Sequence, residues 1–189
     1  MLLVPIEYGQ EAVRLYSSSG SWMNMNPASR VLHYSATDED HTSWVAFTEH
    51  GNGQQWFVLD LSAKMSFDAV QIANCKYDED CTKDFKWVQN KHFIELTVCY
   101  TFRVSVSNDP ELEVDWEVVL EDSFEIEGVD VSTEIINFQL DSLVNEKRYI
   151  KFEILSFGGN GGCIQYFDVD RKPKVEKTGD DFVNIKMTF

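Results

Sequence analysis

Basic residues are scarce in this chain. Sixteen Lys and Arg stand against 32 Asp and Glu in 189 residues, a formal net charge of −16. So acidic a surface repels phosphate backbones and anionic headgroups, so neither a nucleic acid nor a membrane is the expected partner. No apolar run approaches transmembrane length. The opening MLLVPIEYGQEAVRLYSSSG has neither a basic flank nor an apolar stretch of signal-peptide length. Taken literally, the sequence reads as a soluble chain without its own export signal.

Catalytic signatures are missing too. There is no Gly-x-Ser-x-Gly elbow, no phosphate-binding glycine loop followed by Lys, and no zinc-protease helix. GGNGG, residues 158–162, lies between two β-like runs, where chain reversal is its natural role. The expectation is that the chain is not an enzyme. Its four cysteines, Cys75, Cys81, Cys99 and Cys163, do not form the two close pairs of a zinc finger. Three complete pairings are open to them. Cys75 and Cys81 are close enough in sequence for a local disulfide in an oxidising compartment. Cys99, inside IELTVCYTF, reads as a buried free thiol, and Cys163 fits either state.

What the sequence does contain is short β-rich runs. QWFVLDL, FDAVQIAN, FIELTVCYTFRVSVSND, DWEVVLEDSFE, EIINFQLD, RYIKFEILSF and CIQYFDV are each bounded by Asn, Asp, Gly or Ser, and no long segment has a helical period. FIELTVCYTFRVSVSND is too long for one ordinary strand, so it should bend or contain two elements. At 43% hydrophobic and 13% aromatic residues, the composition supports a full core. The predicted fold class is all-β, an antiparallel β-sandwich of jelly-roll type.

NPASRVLHYSATDEDHTSWVAF, QQWFVLDL, TKDF, RVSVSND, DWEVVLED and the closing RYIKFEILSF with GGCIQYFDV follow one another in the order found in the discoidin, or coagulation-factor type C, family. The chain resembles that family over roughly residues 12–170. The resemblance implies a galactose-binding-like β-sandwich over residues 1–170, with 171–189 as a C-terminal extension. It departs from the family in two ways. No cysteine brackets the domain, and residues 86–101 separate TKDF from RVSVSND. That stretch reads as an insertion, either a genuine hairpin excursion or translated intron sequence.

The resemblance also implies where function resides. Such modules bind through loops at one end of the sandwich, so SSSGSWMNMNPAS becomes the candidate ligand surface. Trp22 and Met23 would stack on an apolar face, and Asn24 and Asn26 would supply amides. Trp44, the loop-closing tryptophan of the resemblance, belongs to the same expected set. In SATDEDHTSW, Asp38 and Asp40 offer hard oxygens and Thr42 and Ser43 offer hydroxyls, a combination suited to a structural calcium ion. Tyr166 stands where the last strand of such domains usually adds a carboxylate, with Asp168 two residues on. Arg30, Arg103 and Arg148 read as isolated. The expected partner is a glycan or cell-surface glycoprotein, and the expected location is extracellular or at the cell surface. The competing expectations are a protein–protein adhesion domain and an accessory domain of a larger secreted enzyme.

Overall fold

The computed structural model describes residues 13–20, 27–34, 44–45, 55–75, 98–124, 126–127, 130–131, 134–158 and 162–171. Nine strands occur among them: β1 (Arg14–Ser18), β2 (Trp44–Val45), β3 (Gln55–Asn74), β4 (Val98–Ser107), β5 (Glu117–Ser123), β6 (Ile126–Glu127), β7 (Asp130–Val131), β8 (Ile136–Gly158) and β9 (Cys163–Arg171). Short 3-10 turns at Ala28–Leu32 and Glu113–Asp115 complete the described elements. One hydrogen-bonded path runs β2-β9-β3-β8-β4-β5, with β1 added to β3 and β6-β7 as a separate ribbon. All the pairings are antiparallel.

Two layers arise because β3 and β8 bend together. At 20 and 23 residues, both exceed an ordinary strand. Their register is regular from Gln55↔Ile154 to Asp60↔Tyr149, shifts repeatedly, and resumes from Ala69↔Gln139 to Ile72↔Ile136. The shifts coincide with left-handed backbone at Ser62 (φ 64°) and Glu146 (φ 47°). The first halves of the pairing build a sheet with β1, β4 and β5. The second halves build one with β9 and β2. QWFVLDL and FDAVQIAN, separate runs in the sequence, are therefore the two arms of β3, and EIINFQLD and RYIKFEILSF are likewise the two arms of β8.

Alternation fills the space between the layers. Phe57, Leu59 and Leu61 on β3, Ile150, Phe152 and Ile154 on β8, and Phe102, Val104 and Val106 on β4 are all buried. Phe57, Phe152 and Phe102 stack across three strands at 5.2 and 5.4 Å between ring centroids. The second sheet answers with Phe167, 5.6 Å from Phe57, and Phe138, 5.0 Å from Phe102. Each buried phenylalanine contributes roughly 2–3 kcal/mol by leaving water, which makes this ladder the mechanical centre of the sandwich.

Residues 86–97 of the expected insertion, and the extension after Arg171, lie outside the described residues. Residues 98–101 open β4 and pair with β8, from Val98↔Gly158 to Thr101↔Ser156. The run FIELTVCYTFRVSVSND is thus entered by β4 at Val98, and the strand continues without a break through Ser107.

Candidate functional site

The described residues that border five segments meet at one end of the sandwich, where specific contacts tether them. Segments 21–26, 46–54, 76–97 and 159–161 leave from there, and residues 35–43 end there at Trp44. The tethers explain how a scaffold of sheets can present loops from a fixed base.

Trp44 is the first tether. It is completely buried, its ring meets Phe57 edge-on at 5.1 Å, and its Nε1 donates to the Gly20 carbonyl at 3.0 Å. Gly20 has φ +117°, a backbone state open to glycine and to few other residues. The ligand-contacting role expected of Trp44 is corrected here. A ring without exposed surface cannot stack on a ligand, so Trp44 instead anchors the start of the Trp22 segment to the core. Ser19 adds a second hold, donating its N–H to the Trp56 carbonyl at 2.9 Å and accepting the Trp56 N–H at its hydroxyl at 3.0 Å.

The glycine loop is held by Gln55. This side chain is buried at the start of β3, and its Oε1 accepts the Gly162 N–H at 2.8 Å. Its Nε2 has no hydrogen-bond partner among the described residues. A Cβ on Gly162 would collide with the Ile154 side chain and lie 3.0 Å from Gln55 Oε1. Gly162→Ala is therefore expected to destabilise the fold by about 1–3 kcal/mol. Urea unfolding measures this, and an unchanged midpoint would show that the loop has room to move.

Two further tethers close the far side. Asn74, at the end of β3, is fully buried; its Nδ2 donates to the Cys99 carbonyl at 2.9 Å, and its Oδ1 accepts the N–H groups of Cys75 at 3.0 Å and Cys99 at 3.3 Å. One amide thus replaces the missing strand–strand ladder between β3 and β4. Beside it, Cys75 and Cys163 form a buried disulfide with Cα atoms 5.6 Å apart. This overturns the local Cys75–Cys81 pairing, because the partner of Cys75 lies 88 residues away at the start of β9. Cys81 lies outside the described residues. Cys99 is buried and free, as expected, and burial pushes its thiol far above the ordinary range, which leaves it unreactive.

Most of the expected contact residues, Trp22, Met23, Asn24 and Asn26, lie outside the described residues, as do Asp38, Asp40, Thr42 and Ser43. Tyr34, just before the acidic segment, packs edge-on against Tyr166 at 5.5 Å. The Tyr166 hydroxyl donates to Asp168 at 3.3 Å, which brings this carboxylate two side-chain contacts from the root of the segment. Among the described residues no group of three His, Cys, Asp or Glu side chains is arranged to hold a metal ion.

At the opposite end, Arg148 is not isolated. Its Nε donates to Asp60 Oδ1 at 2.9 Å and its Nη2 to Oδ2 at 3.0 Å, while Arg14 reaches Oδ2 at 3.3 and 3.0 Å. Asp60 also accepts the Ser62 N–H at 2.8 Å and so holds the bend of β3. Arg103 likewise pairs with Glu121 at 2.9 Å. The sequence reading missed these partners because they are 18 to 88 positions apart. The available signal was Asp60 itself, a carboxylate inside the apolar run WFVLDL.

No protein-family model matches the chain, and no curated protein matches it in sequence. Solved structures do. The family 32 carbohydrate-binding module of Clostridium perfringens NanJ, solved with galactose, has a TM-score of 0.58 at 13% identity over 85% of this chain and 94% of that one. The fold is galactose-binding-like. Family 32 modules of C. perfringens ZmpB, solved with GalNAc, give 0.60 at 11% identity, covering 88% of this chain and 36% of that one. The C-terminal domain of a Bacteroides fragilis chitobiase gives 0.56 at 13% identity over 86% and 95%. At these identities the likeness establishes the β-sandwich expected from the sequence.

Proposed function

We propose that this chain is a non-catalytic glycan-binding module of discoidin type, acting outside the cell through the loops rooted at Gly20, Trp44, Gln55, Cys75 and Gly162. The observation that carries the reading is a galactose-binding-like fold shared with modules solved with galactose and GalNAc. The tethers agree with it, since a frame fixed beneath the loops lowers the ordering cost of capturing a small sugar. Trp22 and Met23 would provide the stacking surface, and Asn24 and Asn26 the hydrogen bonds to hydroxyls. A buried disulfide supports an oxidising, extracellular setting. A calcium ion would be held by Asp38, Asp40, Thr42 and Ser43, where it would fix the loop before Trp44. The reading as an accessory domain of a larger enzyme is favoured by likeness to a module from a family 31 glycoside hydrolase.

A glycan array run in calcium and again in EGTA tests this. The expected result is selective binding to galactose- or GalNAc-terminated glycans, weakened roughly ten-fold or more by Trp22→Ala. Loss of binding in EGTA would support the metal, and full retention would overturn it. A blank array from folded protein would overturn the glycan reading in favour of a protein partner.

A further inference from the structure

Alternation on the first sheet sends one cross-strand row outward: Trp56, Glu153, Arg103 and Glu121, in register on β3, β8, β4 and β5. Lys151 lies beside it. Its Nζ is 2.8 Å from Glu153, 5.5 Å from the centroid of the Trp56 ring and 6.0 Å from that of Trp116. Arg103 places both Nε and Nη2 2.9 Å from Glu121 Oε2. Both indoles are half-buried. Val58 and Ser105 alternate outward on the same side yet are buried.

Each cation of this row is matched by a neighbouring carboxylate. The face therefore offers hydrogen-bond donors and acceptors with little net charge, beside the Trp56 and Trp116 rings. An anionic ligand would meet Glu153 and Glu121, and a cationic one would meet Lys151 and Arg103. A neutral polyhydroxy chain avoids both penalties; its C–H faces can lie on the indoles while its hydroxyls reach the oriented ion pairs. We propose that this face is a second glycan site, taking a neutral oligosaccharide laid across the strands and separate from the loop site. This inference rests on the glycan-binding reading and extends it from a terminal sugar to a longer chain.

The test is titration of the full chain, followed by the indole N–H resonances, with galactose, GalNAc, N-acetylated chitohexaose and a linear β-glucan hexasaccharide. At least one neutral hexasaccharide is expected to shift both Trp56 and Trp116. Its affinity should fall roughly ten-fold in Trp116→Ala, recover in Trp116→Phe, and change little between about 50 and about 500 mM salt. Monosaccharide binding should be the same in all variants. Monosaccharide binding with no hexasaccharide shift at Trp56 or Trp116 overturns this inference alone. Absence of binding by every sugar overturns both it and the glycan reading. A strongly salt-dependent response would also sink it, because charge would then dominate recognition.

Discussion

Reducing the Cys75–Cys163 disulfide is expected to lower the unfolding free energy by roughly 3–5 kcal/mol. The bond spans 88 positions and so removes a large share of the freedom of the unfolded chain. For a domain of this size the melting temperature should drop by roughly 6–20 °C. The bond also has a local task. Asn74↔Ile164 is the last register pair between β3 and β9, and the disulfide continues that pairing one position further, where segments 76–97 and 159–161 leave the sheet. Cys75→Ser with Cys163→Ser should reproduce the loss in urea unfolding without reductant. Reductant should then have no further effect on that variant, since Cys99 is a buried thiol. Equal stability of the oxidised and reduced wild-type protein would show that the two sulfurs are not bonded in solution.

Asp60→Asn should cost about 1.5–3 kcal/mol, because the buried Asp60 carboxylate accepts charge-assisted hydrogen bonds from two guanidinium groups at once. Arg14→Gln should cost only about 1 kcal/mol. The Arg14 side chain is 68% exposed, and the Arg148 fork remains. The same cluster makes a signed pH prediction. Hydrogen bonding from Arg148 holds the Asp60 carboxyl well below the usual carboxylate range, helped by Arg14 and the Ser62 N–H against the opposing effect of burial. The unfolded chain therefore takes up a proton at a higher pH than the folded chain does. The contribution of Asp60 to stability is complete above the unfolded value, near pH 4, and is lost as pH falls from there toward the folded value. Urea midpoints measured between about pH 6 and about pH 3 should fall more steeply for wild type than for Asp60→Asn. Parallel slopes would contradict the assignment.

How far the sequence could be read differed from element to element. QWFVLDL alternates, so Phe57, Leu59 and Leu61 share one side and Trp56, Val58 and Asp60 the other, because strand alternation is a local property; which side faces the core was decided by the second sheet. The burial of Cys99 followed from the apolar run around it, another local property. Trp44 was expected among the ligand contacts, whereas the structure buries it, because burial depends on the Phe57 ring and the Gly20 carbonyl, both distant in sequence. The disulfide was unreadable for a related reason. Spacing favours the near neighbour Cys81, whereas pairing is decided by where β3 ends and β9 begins.

The order of β-runs, the glycine reversal between β8 and β9 and the acidic surface were all determined by the sequence alone, since each depends on residues within a few positions of one another. Tertiary structure alone decided that β3 and β8 bend into two layers, that Arg14 and Arg148 share one buried carboxylate, and that Lys151 reaches both the Trp56 and the Trp116 ring. Those facts depend on register between strands up to 88 residues apart, and hydrophobic periodicity carries no information about register across such distances.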